Sequence, residues 1–563
     1  MNQNNYSFKK TITSLVLLLS AVIFFLLSHP NLIAEEGLPF FAFFIYLPLL
    51  LCIHINSIKK NLIYGFLYGA LSYGLYAYWL WNSYRHFLGI VITGYALVLT
   101  LVFFILKLTD LLFKKNAFIV QAFIIAAFEY LKTLGFLGLS YGVTAYSQWK
   151  NLYLIQICDI AGVYGLNLLL MFSSAILYSF IQKMLDKRKL EKIKENSKSG
   201  EKSSYTAYLS KQNNLNLYSL NSSFIMLAVW TLLFTASYLY GFYRVKDYSN
   251  YEKQKVILAQ NNENSWLDGI DIYTKNIYKL MQLTQEGLEF NSDAALVVWP
   301  ETSVVPDILF NYYNKNDKRR YELIHTLLDF IDSKEAAFVI GNGYTKKEDD
   351  FTSKLYNSAF VFYPQKNVIP PKPLIYSKMK LVPLSEYFPY KKQLPQIYEW
   401  LLRNGLVNWT CGEEINTFTN DGLVFSCLIC YEDTFPQLAR QHYKDNSRCF
   451  VCLTNDSWSK SRACQNQHLS IALFRSVENR VPSVRSTTSG KSCIIDPNGK
   501  ITYETEDFAE RFLAGYVPLL SENQKETFYN RYGDYAGYMS VILSFLLLII
   551  QIINCIIKKN RTK

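Results

Sequence analysis

The chain has 563 residues, half of them hydrophobic, 16% aromatic and only 18% charged. This length accommodates two or three domains. The formal net charge of +12 would suit a nucleic-acid-binding protein, but much of it lies in short Lys and Arg clusters beside apolar runs. Such clusters are typical of membrane topology. We therefore expect no nucleic-acid partner.

Eight stretches are apolar enough, at about 20 residues each, to cross a bilayer as helices. The first could be a signal peptide, but no convincing cleavage site follows it, and the seven further stretches favour a membrane anchor. The predicted spans are 11–28, 38–56, 62–82, 88–107, 117–135, 161–182, 222–243 and 536–557.

The distribution of basic residues predicts the orientation of these spans. Lys and Arg cluster in every second connection, whereas the connection 29–37 has none and 83–87 has only Arg85. The clusters are Lys9 and Lys10, Lys59 and Lys60, Lys107 with Lys114 and Lys115, the loop after the sixth span, and Lys558, Lys559, Arg561 and Lys563. Because basic loops stay in the cytoplasm, both termini are predicted to be cytoplasmic and residues 244–535 to lie on the outer face.

Three regions follow from this pattern. Residues 1–243 form a transmembrane domain of seven helices, interrupted at about 186–221 by a polar segment that is typical of a solvated cytoplasmic linker. Residues 244–535 form a catalytic domain, and 536–563 supply the last membrane helix and a basic tail.

The middle region alternates strands with helices, which predicts a layered α/β domain. An amphipathic helix at 268–286, for example, separates two short apolar strands. The predicted strands are 256–260, 294–299, 337–340, 356–362, 423–430, 449–453 and 512–518, and the other predicted helices are 317–333 and 462–479.

Two Cys-x2-Cys pairs, Cys427 with Cys430 and Cys449 with Cys452, have the spacing of a zinc ribbon. Both pairs lie in strand-like runs, where residues three apart point to opposite faces of a sheet. A zinc knuckle needs a tight turn, and neither pair contains Gly or Pro. We therefore predict no metal site.

Three reactive side chains stand at the exits of strand-like segments. Glu301 comes after Val-Val-Trp-Pro, Lys378 after Ile-Tyr-Ser, and Cys430 after Leu-Ile. A thiol becomes a nucleophile when a base takes its proton, a glutamate can be that base, and an ammonium can stabilise an oxyanion. His468 is an alternative base. Taken singly, each residue is more readily a surface carboxylate, a solvated lysine or a packed cysteine, and it is their combination that favours a catalytic site.

The membrane region contains one notable carboxylate, Glu129, near the outer end of its predicted helix. A carboxylate inside a membrane span is a candidate functional residue. A local pair between Glu129 and Lys132, or contact with water, explains it equally well. Aromatics towards the outer end of the third predicted span suit an interfacial belt or an opening for lipid tails; they are Tyr76, Tyr78, Trp79 and Trp81.

The three strand-end residues stand in motifs that resemble those of the nitrilase, or carbon–nitrogen hydrolase, superfamily. The motifs are Trp299-Pro-Glu301, Lys378 followed by Leu-Val-Pro-x-x-Glu386, and Cys430-Tyr-Glu432. Together with the membrane spans, the chain resembles the apolipoprotein N-acyltransferase family. Later blocks support that resemblance: Asn455-Asp-Ser-Trp458, Gln467-His468, Arg475 to Arg480, Gly162 to Asn167 and Glu129 to Lys132.

The resemblance implies an αββα nitrilase-like sandwich outside a bacterial inner membrane. It implies that Cys430 takes an acyl chain from a phospholipid as a thioester and passes it to the N-terminal amine of a diacylglyceryl-modified apolipoprotein. Glu301 would be the base and Lys378 the oxyanion stabiliser, with no metal or diffusible cofactor. The implied supporting or substrate-binding residues are Glu386, Tyr431, Glu432, Trp458 and Trp266. We expect a monomer.

Two alternatives remain open on the residues alone. The same Glu301, Lys378 and Cys430 would serve a membrane-tethered amidase or nitrilase that hydrolyses a small C–N bond, although eight spans exceed what an anchor needs. A non-catalytic membrane scaffold is the second alternative, and the presence of all three reactive residues argues against it.

Overall fold

The computed structural model describes residues 3–197, 216–263, 269–348 and 352–561. A helix occupies at least part of each of the eight predicted membrane stretches. The helices of the membrane region are α1 (Gln3–Ser28), α2 (Tyr46–Ile55), α3 (Ile58–Tyr76), α4 (Arg85–Phe113), α5 (Ala117–Leu131), the short α6 (Leu152–Ile155), α7 (Cys158–Ser197), α8 (Asn216–Arg244) and, at the end of the chain, α16 (Tyr535–Arg561).

Five described segments are long and apolar enough to cross a membrane: Ser7–Ser28, Arg85–Leu131, Cys158–Leu185, Ser222–Arg244 and Tyr535–Asn560. The second of these has 47 residues, which as one straight helix would be about 70 Å long against a hydrocarbon core of about 30 Å. It consists instead of α4 and α5, which are joined by the turn Lys114–Asn116 and pack against each other. Eight crossings remain a prediction, because α2 has only 10 residues.

The segment between α7 and α8 is shorter than the predicted linker 186–221, because both helices extend into it. Helix α7 continues to Ser197, and α8 begins at Asn216. Hydropathy ended the sixth predicted span at 182, but Lys, Arg and Glu are good helix formers and allow the helix to extend into polar sequence. The remaining linker residues lie outside the described ranges.

The middle region contains two six-stranded sheets. In spatial order the first sheet is β12-β1-β2-β3-β4-β5 and the second is β11-β10-β9-β8-β7-β6. The strands are β1 (Lys253–Gln260), β2 (Ala294–Val298), β3 (Ala337–Lys347), β4 (Ser353–Phe362), β5 (Leu374–Ser377), β6 (Thr417–Asn420), β7 (Leu423–Ile429), β8 (Phe450–Thr454), β9 (Ser483–Thr487), β10 (Cys493–Ile495), β11 (Ile501–Glu504) and β12 (Arg511–Pro518).

The two sheets face each other across a buried core, and helices cover their outer faces. Along β1 the side chains alternate: Val256 and Leu258 enter the core between the sheets, while Ile257 and Ala259 pack under the outer helices. This alternation is the two-residue period of a strand that is buried on both faces. The helices of this region are α9 (Ile270–Phe290), α10 (Ile308–Tyr313), α11 (Lys318–Asp332), α12 (Pro395–Arg403), α13 (Pro436–Lys444), α14 (Arg462–Asn479) and α15 (Phe528–Tyr532). The predicted αββα sandwich is confirmed.

All seven predicted strands are present, but five others were missed. Strand β9 has the sequence Ser-Val-Arg-Ser-Thr, and it is fully buried despite its polar composition. Hydropathy cannot detect such a strand, because its polar side chains are satisfied by partners distant in sequence. The other missed strands, β5, β6, β10 and β11, have three or four residues each.

Gly341 in β3 allows the turn after β2 to approach the sheet. A Cβ atom at this position would lie 2.4 Å from the Pro300 oxygen, 2.6 Å from the Thr302 nitrogen and 2.8 Å from the Glu301 Cα. These are backbone atoms, so they cannot move aside without displacing the turn. At Gly343, two residues further along β3, the nearest atom belongs to the Trp409 ring at 3.5 Å.

We predict that Gly341→Ala lowers the free energy of unfolding by about 1–3 kcal/mol, the usual cost of overpacking a filled site. Gly343→Ala, on the same strand, is the matched control and is expected to cost less than about 1 kcal/mol. Denaturation of the detergent-solubilised variants measures both. Equal losses of stability in the two variants would contradict the role given to Gly341.

Candidate active site

Three reactive side chains leave strand ends at one edge of the sandwich. β2 ends three residues before Glu301, and β7 ends directly before Cys430. β5 is antiparallel to β4, which is antiparallel to β3, so β5 runs in the direction of β2 and delivers Lys378 at the same edge. The carboxyl ends of strands are where layered α/β folds build their sites.

Lys378 lies between two carboxylates and is fully buried. Its Nζ donates to Glu301 Oε1 at 3.0 Å and to Glu386 Oε1 at 2.8 Å. Burial opposes the charge of Lys378, but Glu301 and Glu386 outweigh that effect and raise its pKa well above the usual value. Lys378 is therefore a permanent cation. Burial also raises the pKa of Glu386, against the opposing effect of Lys378.

The Glu301 carboxylate is oriented by two further donors. Asn357 Nδ2 donates to Oε1 at 2.8 Å, and the backbone N–H of Asn455 donates to Oε2 at 3.1 Å. Asn357 is in β4 of the first sheet, and Asn455 follows β8 of the second. Both sheets therefore fix the carboxylate. Of its three donors among the described residues, Lys378 carries a charge.

Cys430 begins a short 3-10 turn directly after β7 and has a φ angle of 51°. Residues other than glycine rarely adopt this left-handed conformation, and it often marks functional sites. Burial and the neighbouring Glu301 raise the pKa of Cys430 well above its usual value, while Lys378 opposes the shift. The resting group is therefore a thiol that needs a base. The other members of the two Cys-x2-Cys pairs, Cys427, Cys449 and Cys452, are buried.

Glu432 joins the Lys378 segment to the Cys430 turn. Its carboxylate accepts from the backbone N–H groups of Met379 at 2.7 Å, Lys380 at 3.0 Å and Ile429 at 2.7 Å. The Tyr376 hydroxyl adds a bond of 2.9 Å. Burial raises the pKa of Glu432 to about 7, although the backbone donors oppose the shift. Glu432 has no exposed surface, so its contacts support a positioning role.

The other predicted supporting residues lie at a large cavity, with one exception. Tyr431, Trp458 and Glu386 line the cavity. The Tyr431 hydroxyl donates to the carbonyl oxygen of Gly138 in the membrane region, and the Trp458 ring lies 5.5 Å from that of Trp79. Trp266 lies outside the described residues.

The cavity has a volume of about 1050 Å³ and extends from the sandwich into the membrane region. Glu301, Glu386 and Cys430 line one end, and the rest of the lining includes side chains of α3, α4, α5 and α16. The membrane end is mainly apolar; it includes Val98, Leu101, Ile105, Leu131, Val541, Phe545 and Leu548. A cavity of this composition accepts a long apolar ligand beside a small set of polar groups.

His468 is not placed to act as the alternative base. Its Nδ1 lies 2.9 Å from Asp456 Oδ2 and its Nε2 lies 2.9 Å from Asp433 Oδ1. Burial alone would lower the pKa of His468, but Asp456 and Asp433 outweigh it and raise that pKa to about 9. Arg485 also pairs with both aspartates. His468 is thus an imidazolium that links the turn after β7 to the turn after β8.

Cys430, Asp456 and His468 lie close enough to suggest a metal site, since one ligand atom from each falls within 4.8 Å of the others. A histidine binds a metal through a ring nitrogen that carries no proton. Because both ring nitrogens of His468 donate to carboxylates, this group does not fit a metal.

The predicted contact between Glu129 and Lys132 is replaced by other bonds. Glu129 accepts from the Tyr46 hydroxyl at 2.5 Å and from the backbone N–H of Thr144 at 2.8 Å. Lys132 Nζ donates to the Tyr73 hydroxyl at 2.7 Å and to the Gly142 carbonyl at 2.9 Å. Lys132 also lines the cavity.

Comparison with known proteins assigns the two regions separately. Residues 270–519 match the carbon-nitrogen hydrolase family model, and residues 15–176 match the apolipoprotein N-acyltransferase N-terminal domain. The chain is 35% identical over 98% of its length to apolipoprotein N-acyltransferase 1 of Treponema denticola, of which it covers 98%. It is 34% identical over 95% to apolipoprotein N-acyltransferase 1 of Treponema pallidum, of which it covers 94%.

Among solved structures, the chain is similar to Nit3 of Saccharomyces cerevisiae, a member of branch 10 of the nitrilase superfamily. The sequence identity is 18%, the match covers 51% of this chain and 97% of that one, and the TM-score is 0.36.

The buried His468 predicts a pH-dependent stability. A group whose pKa is raised in the folded state, here to about 9, contributes stability that is complete below its unfolded pKa of about 6.5 and is lost as pH rises through about 9. The groups facing it are Asp433, Asp456, Arg485 and Cys430. Between pH 6.5 and 10, we expect the free energy of unfolding of wild type to fall by on the order of 3 kcal/mol more than that of His468→Gln.

His442→Gln is the matched control for this measurement. Burial lowers the pKa of His442 to about 3, so His442 stays neutral over the whole range and the variant should keep the pH profile of wild type. Thermal melting at a series of pH values gives the comparison. A His468→Gln profile parallel to that of wild type would contradict the buried imidazolium.

Proposed function

This chain belongs to the apolipoprotein N-acyltransferase family and is an acyltransferase, and from that premise we propose that Cys430 carries the acyl group. The observation that supports this most strongly is the buried Lys378 between Glu301 and Glu386, at the end of a cavity that also contains Cys430. The arrangement supplies a nucleophile, a base and a cation within one enclosed site.

In the first half-reaction the thiol of Cys430 attacks an ester carbonyl of a phospholipid, and Glu301 takes the thiol proton. The carbonyl oxygen becomes an oxyanion. Lys378 Nζ has three protons and gives two to carboxylates, so the third is available to the oxyanion, together with the backbone N–H of Tyr431. Glu301 then protonates the departing glycerol oxygen, which leaves a lysophospholipid and a thioester.

In the second half-reaction the free amine of the lipid-modified N-terminal cysteine attacks the thioester carbonyl. Glu301 takes a proton from the amine and returns one to the departing sulfur, so the amide product and the resting thiol form together. Asn357 and Asn455 hold the carboxylate in one orientation, which suits a group that must serve in both steps.

The lining of the cavity supports lipid substrates over a small amide. An amidase could use the same Glu301, Lys378 and Cys430, but it has no need of an apolar chamber built from four membrane helices. Lipoprotein and phospholipid substrates follow from the family. The acceptor in its diacylglyceryl-modified form and a monomeric enzyme are proposals. Glu386, Tyr431, Glu432 and Trp458 are proposed as supporting residues, and Trp266 keeps that status from sequence alone.

The chain is a bacterial membrane protein, and we propose the orientation that its basic clusters predict. Both termini would be cytoplasmic, with the catalytic domain 244–535 on the outer face of the inner membrane. The membrane domain 1–243 and the segment 536–563 would flank it. Ala536, near the start of α16, packs in the core of the membrane region, which agrees with a chain that re-enters the bilayer there.

We predict that incubation with phospholipid adds the mass of one acyl chain to Cys430. Cys430→Ala should abolish the adduct, whereas Cys452→Ala, a buried cysteine outside the cavity lining, should retain it. Glu301→Gln should slow its formation by about 100-fold or more, the usual contribution of a general base. Peptide mass spectrometry locates the adduct. Equal acylation of wild type and Cys430→Ala would refute the nucleophile.

The orientation predicts that a membrane-impermeant amine reagent labels exposed lysines of 244–535 in intact spheroplasts, for example Lys318, with a side chain 83% exposed. Lys558 and Lys559 in the tail should react only after the membrane is opened. Labelling of the tail in intact spheroplasts would contradict the proposed orientation.

A further inference from the structure

We propose that Lys132 and Tyr73 form an anion subsite in the cavity, which binds the phosphate group of the phospholipid acyl donor. This inference rests on the proposed function, because it concerns how the same cavity recognises its donor. It assigns a binding role to a lysine of the membrane region that takes no part in the chemical steps.

Lys132 is a cation without a bonded anion. Its ammonium donates to the Tyr73 hydroxyl and the Gly142 carbonyl, which are both neutral. Glu129 is the nearby carboxylate, but Tyr46 and Thr144 supply its hydrogen bonds. A charge withdrawn from water is costly unless an opposite charge joins it. The site therefore favours an anionic ligand.

The charges around the cavity are segregated. Among the described lining residues Lys132 is the only lysine or arginine, and it belongs to the membrane end. The other charged lining residues belong to the catalytic end: Glu301, Glu386, Asp456 and the His468 imidazolium, which Asp433 and Asp456 neutralise. A phospholipid matches this distribution, because it carries one phosphodiester charge beside two apolar chains. A lysine binds phosphate as a point charge, with a tyrosine hydroxyl as a second donor.

A chain of contacts links the subsite to the nucleophile. Lys132 Nζ is bonded to Gly142, and the ring of the adjacent Tyr141 is 6.0 Å from that of His468. His468 in turn lies within 4.8 Å of Cys430 Sγ. In a glycerophospholipid only a few bonds separate the phosphate from the ester carbonyls. On this proposal a phosphate on Lys132 presents an ester toward Cys430 and leaves the chains among the apolar side chains of α4 and α16, which line the same cavity.

A purely structural role for Lys132 makes a different prediction. If the ammonium only ties Gly142 to α5, its loss disturbs the cavity for every donor. If it binds phosphate, its loss affects only donors that carry a phosphate. Paired donors with and without that group therefore separate the two roles.

The test measures the initial rate of thioester formation on Cys430 with phosphatidylglycerol and with uncharged diacylglycerol of the same chains. Wild type should be at least about 30-fold faster with the phospholipid, and Lys132→Met should lose that preference by slowing with the phospholipid alone. Lys132→Arg should stay within about 3-fold of wild type, because it keeps the charge. Tyr73→Phe, a milder change, should slow only the phospholipid reaction, by about 3- to 10-fold.

Lys150→Met is the matched control, because Lys150 pairs with Glu36 outside the cavity lining and its loss should change neither rate. Equal slowing of both donors by Lys132→Met and by Tyr73→Phe would overturn the subsite, as would a wild type that shows no preference for the phospholipid. A wild type that forms no thioester with either donor would instead overturn the proposed function.

Discussion

The site depends on one buried ion cluster, in which the Lys378 ammonium lies between the carboxylates of Glu301 and Glu386. A lysine with no exposed surface is tolerated only because two opposite charges contact it. The same contacts fix the distance between Glu301 and Lys378, which we propose as the base and the oxyanion-stabilising cation. Removing one partner would leave an uncompensated buried charge. The stability of the site and its proposed reactivity therefore depend on the same three side chains.

The protein surrounds that cluster with bonds between segments that are distant in sequence. Glu432 connects the turn that begins at Cys430 to the segment after Lys378. His468 connects the same turn to the turn after β8. Contacts between Trp79 and Trp458 join the sandwich to the membrane helices. The thiol of Cys430 therefore lies between the sandwich and an apolar chamber, which suits the proposed transfer from a lipid donor.

Much of this arrangement is predictable from sequence because it follows local patterns. Apolar runs mark the membrane helices. Glu301 and Cys430 follow predicted strands and Lys378 follows the short segment Ile-Tyr-Ser, which predicts a shared edge. Asn357 and Arg485 are different: they are single polar residues within strands, and their partners lie on other elements. The polar strand β9 was missed for the same reason. The residue type of His468 allows it to be the alternative base, but its bonds to two aspartates exclude that role.

The most direct test of the two-step account is a single-turnover chase. The protein is loaded with a labelled acyl chain from phospholipid, freed of donor, and then mixed with a diacylglyceryl-modified peptide that has a free N-terminus. The account predicts that the label leaves Cys430 and appears as an amide on the peptide in equal amount and at the same rate. A label that remains on Cys430, or that is released as free fatty acid while the peptide stays unmodified, would contradict it.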